Sequence, residues 1–233
     1  MPYKTPDEIK KILQESDGFL YQQNPIKARG YFLTCCEYLW NYRIDREKSE
    51  IIDKNIKKIT RKSSYIPDPQ RRKKEGKTNR GEEWFVKDLF PPDRDKDEVH
   101  KVFGKLIEYQ IPIRNTENDV AGGIDFISVI DNFLYLHEIK YDYNKESILK
   151  AILQIQTYYQ QIEDTKKLIK DFGLTGIKGI RKSVVIFKGS VAHRQINKPK
   201  VKHEVKKLLE LFGIELFLLE RTGNEISRTP WEE

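Results

Sequence analysis

The sequence predicts an α/β protein in which a mixed central sheet is flanked by helices and preceded by an N-terminal helical extension. Three observations predict it. Up to about residue 60, apolar residues recur at helical spacing, as in Phe32, Cys35, Cys36 and Leu39, and later Ile52, Ile56 and Ile59. From residue 122 to 141 the pattern becomes that of two strands meeting at Asp131-Asn132, a pair that tolerates the left-handed backbone of a two-residue hairpin turn. Further on, the apolar runs SVVIF (183–187) and IELFLL (214–219) alternate with helical segments, an order that implies a partly parallel sheet with helices on both faces.

The elements follow in order. TPDE at 5–8 is a capping box with proline at the first helical position, and Asn24-Pro25 repeats the cap-plus-proline signal. Two or three helices are expected over residues 1–62, with the aromatic residues at 38–42 serving packing. Residues 63–78 read as a basic linker. The stretch 61–80 holds eight basic residues against Asp68 and Glu75, so 8 − 2 = +6 of the chain's net +7 lies there, together with Pro67, Pro69 and Gly76. A mobile cationic run of this kind suits contact with a phosphate backbone, with Arg71, Arg72, Lys73 and Lys74 at its centre. The sheet domain is expected over 79–233: a helix from 79 to 90 stopped by Pro91-Pro92, a strand at 106–113, the hairpin, a helix at 145–163, the strand at 183–187, a helix at 201–211 and the strand at 214–219.

Composition excludes several classes. With 34% charged residues and no apolar run near the roughly 18 residues of a membrane span, a membrane protein is not expected. The start, MPYKTPDEIKK, lacks an apolar leader, so an intracellular place, cytoplasmic or nucleoid-associated, is expected. The two cysteines, Cys35 and Cys36, are adjacent and supply neither a disulfide framework nor a zinc or iron–sulfur site by themselves.

The hairpin carries the chemistry. If the loop is Asp131-Asn132, Ile130 faces Phe133, Val129 faces Leu134, Ile127 faces Leu136 and Asp125 faces Glu138, with Lys140 next on the same side. Two acids directly opposite one another destabilise a sheet, and a hard divalent cation between them is the natural remedy. In the helix before the strands, Glu82 falls within the stripe of Phe85, Val86 and Leu89, and Glu83 lies towards its edge; Glu82 is therefore the preferred third acid. In the helix after them, Gln154 and Tyr158 share a face with Ala151, opposite a core stripe of Ile148, Ile152, Ile155, Tyr159 and Ile162. His137 points away from the acids, towards Phe126, and reads as structural.

These residues resemble the PD-(D/E)xK nuclease superfamily. Asp125 in GGIDF and Glu138-Ile139-Lys140 in HEIKY match its motif, with Ile124 where the family name has proline. Gln154-x-x-x-Tyr158 is similar to the QxxxY motif of the RecB-like branch; Gln156 and Gln160 rank below Gln154. The resemblance covers about 79–187 and leaves the N-terminal helices outside. It implies a restriction-endonuclease-like core and a Mg²⁺- or Mn²⁺-dependent nuclease, either an exonuclease or a structure-specific endonuclease, acting on DNA in preference to RNA. Asp125, Glu138, the Ile139 carbonyl and Glu82 would hold metal, Lys140 would serve the attacking water or the developing charge, and Gln154 and Tyr158 would help to hold substrate. No iron–sulfur cluster is expected. The competing expectation is a non-catalytic nucleic-acid-binding or assembly protein on the same fold, and self-association would run through the N-terminal helices.

Overall fold

The computed structural model describes residues 4–16, 19–45, 50–51, 61–68, 81–95, 97–113, 122–141, 146–223, 225–229 and 231. Of the features expected from the sequence, Ile52, Ile56, Ile59 and the basic residues Arg71, Arg72, Lys73 and Lys74 lie outside the described residues.

Helix α1 (Pro6–Gln14) starts where the capping box requires. The Thr5 hydroxyl accepts the Glu8 N–H, and the Glu8 carboxylate accepts the Thr5 N–H at 2.6 Å. The second proline signal yields only a turn, α2 (Asn24–Lys27). Its N-cap is Gln23, not Asn24, and makes no side-chain bond, so the expected cap is displaced by one residue. Helix α3 (Phe32–Tyr38) runs on into a π-turn at Leu39–Arg43, and the segments Ile44–Asp45 (β1) and Glu50–Ile51 (β2) form a two-residue antiparallel ladder.

The sheet has seven strands in sequence order: β3 (Val99–His100), β4 (Gly104–Pro112), β5 (Gly123–Ile130), β6 (Phe133–Lys140), β7 (Gly179–Phe187), β8 (Ile214–Thr222) and β9 (Glu225–Thr229). Strands β3 to β6 pair antiparallel, β6, β7 and β8 pair parallel, and β9 returns antiparallel. A parallel pair needs a crossover. Helices α5 (Ile148–Gln161) and α6 (Thr165–Asp171) supply the first, and α7 (Val191–Ile196) and α8 (Pro199–Phe212) supply the second.

Helices cover both faces. One apolar cluster joins Ile127, Leu134, Leu136, Val184 and Ile186 of the sheet to α5 and α8; the other joins Phe126, Tyr135, Ile139, Val185 and Phe217 to Phe85, Val86 and Leu89 of α4 (Gly81–Leu89). The first cluster also contains Ile9, Leu13, Leu20, Phe32 and Leu39. The N-terminal helices therefore share the core of the sheet's helices, and the core crosses the expected boundaries at 62 and 78.

Several elements depart from expectation: β1 and β2 fall where only helices were expected, and β3 and α7 were not foreseen. Strand β7 starts four residues before 183, because its polar first half pairs with β6 from Phe133↔Gly179 onward. Helix α6, capped by the Asp164 side chain on the Lys167 N–H, was not foreseen. Nor was β9, whose EISRT sequence lacks an apolar stripe because it is an exposed sheet edge. Helix α5 is also buried more evenly than its expected two faces imply: Ala151, Thr157 and Tyr158 are as enclosed as Ile148, Ile152 and Ile155, since the N-terminal helices cover the side away from the sheet. Among the described residues no helix is long and apolar enough to cross a membrane.

Candidate active site

The site grows from the end of the β5–β6 hairpin. Asp131 and Asn132 take φ of 51° and 65°, the left-handed pair that a tight hairpin needs. The ladder then runs Ile130↔Phe133, Val129↔Leu134, Ile127↔Leu136 and Phe126↔His137, the register expected from the turn. At the next hydrogen-bonding position Ile124 would meet Ile139, but the Ile139 N–H donates instead to Asp125 Oδ2 at 2.7 Å. Asp125 thus sits in the opening between the strands. In an extended strand the N–H and C=O of one residue face the same neighbour, so the Ile139 carbonyl also faces this opening.

Gly122 lets the chain in. A Cβ on Gly122 would lie 2.0 Å from the Tyr158 hydroxyl oxygen, so no other residue fits without moving that ring.

Side-chain alternation puts Asp125, Glu138 and Lys140 on the face that carries Ile127 and Leu136. Glu138 is 1% exposed and Lys140 3%. The Lys140 ammonium donates to Glu138 Oε1 at 2.7 Å and lies 3.7 Å from Glu82 Oε1 and 3.6 Å from Glu146 Oε2. The helical phase therefore selects Glu82 at this place; its neighbour Glu83 turns away to pair with Lys87 at 2.8 Å. Glu146 was not singled out from the sequence. It pairs with Lys150 one turn into α5, and the only local hint of it is an acid just before the Ser147 cap and four residues before a lysine.

Four carboxylates (Asp125, Glu138, Glu82 and Glu146) thus face two ammonium groups (Lys140 and Lys150), two negative charges in excess when all are ionised. The protonation equilibria respond. Burial, reinforced by Asp125, holds the Glu138 carboxyl well above its usual range. Burial raises Asp125 to about 6, against the pull of Lys140. Burial also works against the Lys140 charge, but Glu138, Glu82 and Asp125 outweigh it, so its pKa rises and it stays an ammonium.

Among the described residues Glu138 Oε2, which is buried, has no hydrogen-bond partner. Such an oxygen is costly unless something positive meets it. Among the described residues no three His, Cys, Asp or Glu side chains form a metal-holding group, so Asp125, Glu138 and Glu82 are not gathered into one.

Gln154 and Tyr158 meet each other, with Gln154 Nε2 donating to the Tyr158 hydroxyl at 2.9 Å. Tyr158 is buried, and burial followed by the Glu138 charge pushes its hydroxyl pKa well up. Its ring stands edge-on to Tyr21 at 5.6 Å between centroids, and Tyr21 is in turn stacked on Phe19. Tyr21, from the N-terminal segment, had no signal in the sequence. Gln156 lies elsewhere, accepting from the buried Lys182 at 2.7 Å.

His137 occupies the opposite face, stacked 4.1 Å from Phe126 and bonded to Ser128 Oγ at 2.8 Å and Ser183 Oγ at 2.5 Å. Burial pushes it down to about 3, so it is a neutral structural residue, as its strand position suggests. Cys35 and Cys36 are buried with their thiols raised by desolvation, Cys35 to about 12, which makes them inert. Comparison with protein-family models, with curated proteins and with solved structures gives no match to this chain.

Proposed function

We propose that this chain is a divalent-metal-dependent nuclease of the PD-(D/E)xK type on a restriction-endonuclease-like core, hydrolysing phosphodiester bonds in nucleic acid, DNA in preference to RNA. The observation that carries the reading is the buried Glu138 Oε2 beside Asp125, without a hydrogen-bond partner among the described residues, in a cluster where four carboxylates face two ammonium groups. Asp125, Glu138 and the Ile139 carbonyl would hold Mg²⁺ or Mn²⁺, and Glu82, 3.7 Å from Lys140 Nζ, would reach the ion through a water. Two carboxylates suit such an ion, because Mg²⁺ keeps several of its own waters.

When bound, the ion supplies charge neutralisation on the phosphoryl oxygens and activation of water. The remaining work belongs to the chain. Lys140, kept protonated by its acidic surroundings, donates to the developing negative charge or orients the attacking water. Asp125 braces the Ile139 backbone through its N–H and so keeps the end of β6 in place. Gln154 and Tyr158 would form one wall, joined by the bond from Gln154 Nε2 to the Tyr158 hydroxyl. The basic run at 61–80 provides phosphate contacts without base readout.

The test is the purified protein with Mg²⁺ or Mn²⁺ on linear, circular, single-stranded and double-stranded DNA, with RNA alongside. Metal-dependent cutting supports the reading, and the linear-versus-circular comparison separates exonuclease from endonuclease. Binding of nucleic acid without any cutting replaces it with the non-catalytic reading.

A further inference from the structure

We propose that Glu146 is a positioning residue: it holds the Lys140 ammonium when Glu138 is engaged by a cation, and the N-terminal helical segment fixes it for that task. This rests on the nuclease reading above.

Among the described residues three carboxylate oxygens lie within 4 Å of Lys140 Nζ, those of Glu138 at 2.7 Å, Glu146 at 3.6 Å and Glu82 at 3.7 Å. With a divalent ion on Glu138, the Lys140 ammonium that now occupies the same carboxylate would be repelled from it. Lys140 must then lean on another acid. Glu82, on the first turn of α4 and 3.7 Å from Lys140 Nζ, is itself the acid that would serve the ion through a water. Glu146 differs, because its second oxygen already pairs with Lys150, so the carboxylate lies between two ammonium groups and has least to offer a cation.

The backbone of Glu146 is also anchored, and from far away in the chain. Ala28 forms an isolated bridge with Glu146. The Ser147 N–H donates to the Lys27 carbonyl at 2.8 Å, and the Ser147 hydroxyl, which is fully buried, donates to the Ile26 carbonyl, 121 residues distant in sequence. The same hydroxyl accepts the Lys150 N–H at 3.2 Å and so starts α5 at a defined point. A lysine side chain is long and rotatable, and an ammonium without an anchored partner spreads over many rotamers. Transition-state stabilisation needs it held in place.

The experiment is steady-state cleavage of a labelled DNA substrate with Mn²⁺, alongside calorimetric Mn²⁺ titration and thermal melting, for wild type and Glu146→Gln. The expected result is a fall in kcat of about 10- to 100-fold, with KM and Mn²⁺ affinity each within about two-fold of wild type. Should Glu146→Gln not fold, Glu146→Asp is measured instead. It keeps the charge but is one methylene shorter and loses its span between the two lysines, so the same kcat-only loss is expected. An unchanged kcat overturns the proposal, as does a loss of Mn²⁺ affinity, which would make Glu146 a metal ligand. A wild type that cuts no nucleic acid removes the nuclease reading itself, and this proposal with it; a wild type that cuts while the variant cuts equally removes only the proposal.

Discussion

Asp125 takes the Ile139 N–H at 2.7 Å, at the point where the hairpin ladder would otherwise continue. One carboxylate therefore takes the place of the next β5–β6 ladder bond, while Glu138, Ile139 and Lys140 stay paired with β7. Structural bracing and charge meet in a single side chain, which makes its two contributions separable by substitution.

Asp125→Asn keeps an oxygen for the Ile139 N–H and removes the charge. Burial raises the native carboxyl to about 6, so at pH 7.5 the metal-free protein carries a charge that its fold disfavours. In EDTA the variant is expected to be more stable than wild type by about 1–2 kcal/mol, read by urea denaturation, while metal-dependent cleavage falls at least about 100-fold. Equal cleavage by the two proteins would locate the activity elsewhere.

Lys140→Met removes the ammonium and leaves the carboxylates Asp125 and Glu138 in place. Cleavage is expected to be lost, and Mn²⁺ affinity to stay the same or improve, because a cation next to Glu138 has been removed. Calorimetric titration decides it: a weaker Mn²⁺ affinity would mean that Lys140 supports the ion's ligands instead of competing for them.

Gly122→Ala tests the contact between the β5 strand and the Gln154–Tyr158 wall. The new Cβ would sit 2.0 Å from the Tyr158 hydroxyl oxygen. A destabilisation of about 1–3 kcal/mol is expected, and in a Tyr158→Ala background the same change should be close to neutral. Chemical denaturation of the four proteins of this cycle measures the coupling; additive effects would show that Gly122 and Tyr158 do not meet.

Lys182 predicts an alkaline pH dependence. Buried where it donates to Gln156 Oε1 and to the Phe212 carbonyl, it is lowered by desolvation to about 8. Its unfolded value is higher, near 10.4, so between pH 8 and about 10.4 the unfolded chain binds more protons than the folded one. Stability from this residue is therefore present at the top of that window and lost as pH falls through 8. The rise in unfolding free energy over the window amounts to at most about 3 kcal/mol. Lys182→Gln should flatten that part of the stability–pH curve, and an unchanged slope would assign it to another group.

What the sequence determined by itself is local. Asp131-Asn132 and a period of two are enough to set the hairpin register, and the register alone puts Asp125, Glu138 and Lys140 on one face and His137 on the other. The phase of one helix is enough to prefer Glu82 over Glu83, because 100° per residue leaves only one of them on the stripe of Phe85, Val86 and Leu89. Glu146 and Tyr21 were not legible in this way. Their places depend on residues 19–28 crossing to the start and outer face of α5, and neither a period nor a motif encodes a contact between segments 121 residues apart. The same holds for the even burial of α5 and for the edge strand β9, which has no apolar stripe to announce it. Periodicity reports which face of an element avoids water, whereas the partner that covers the face is chosen only when the whole chain closes around one core.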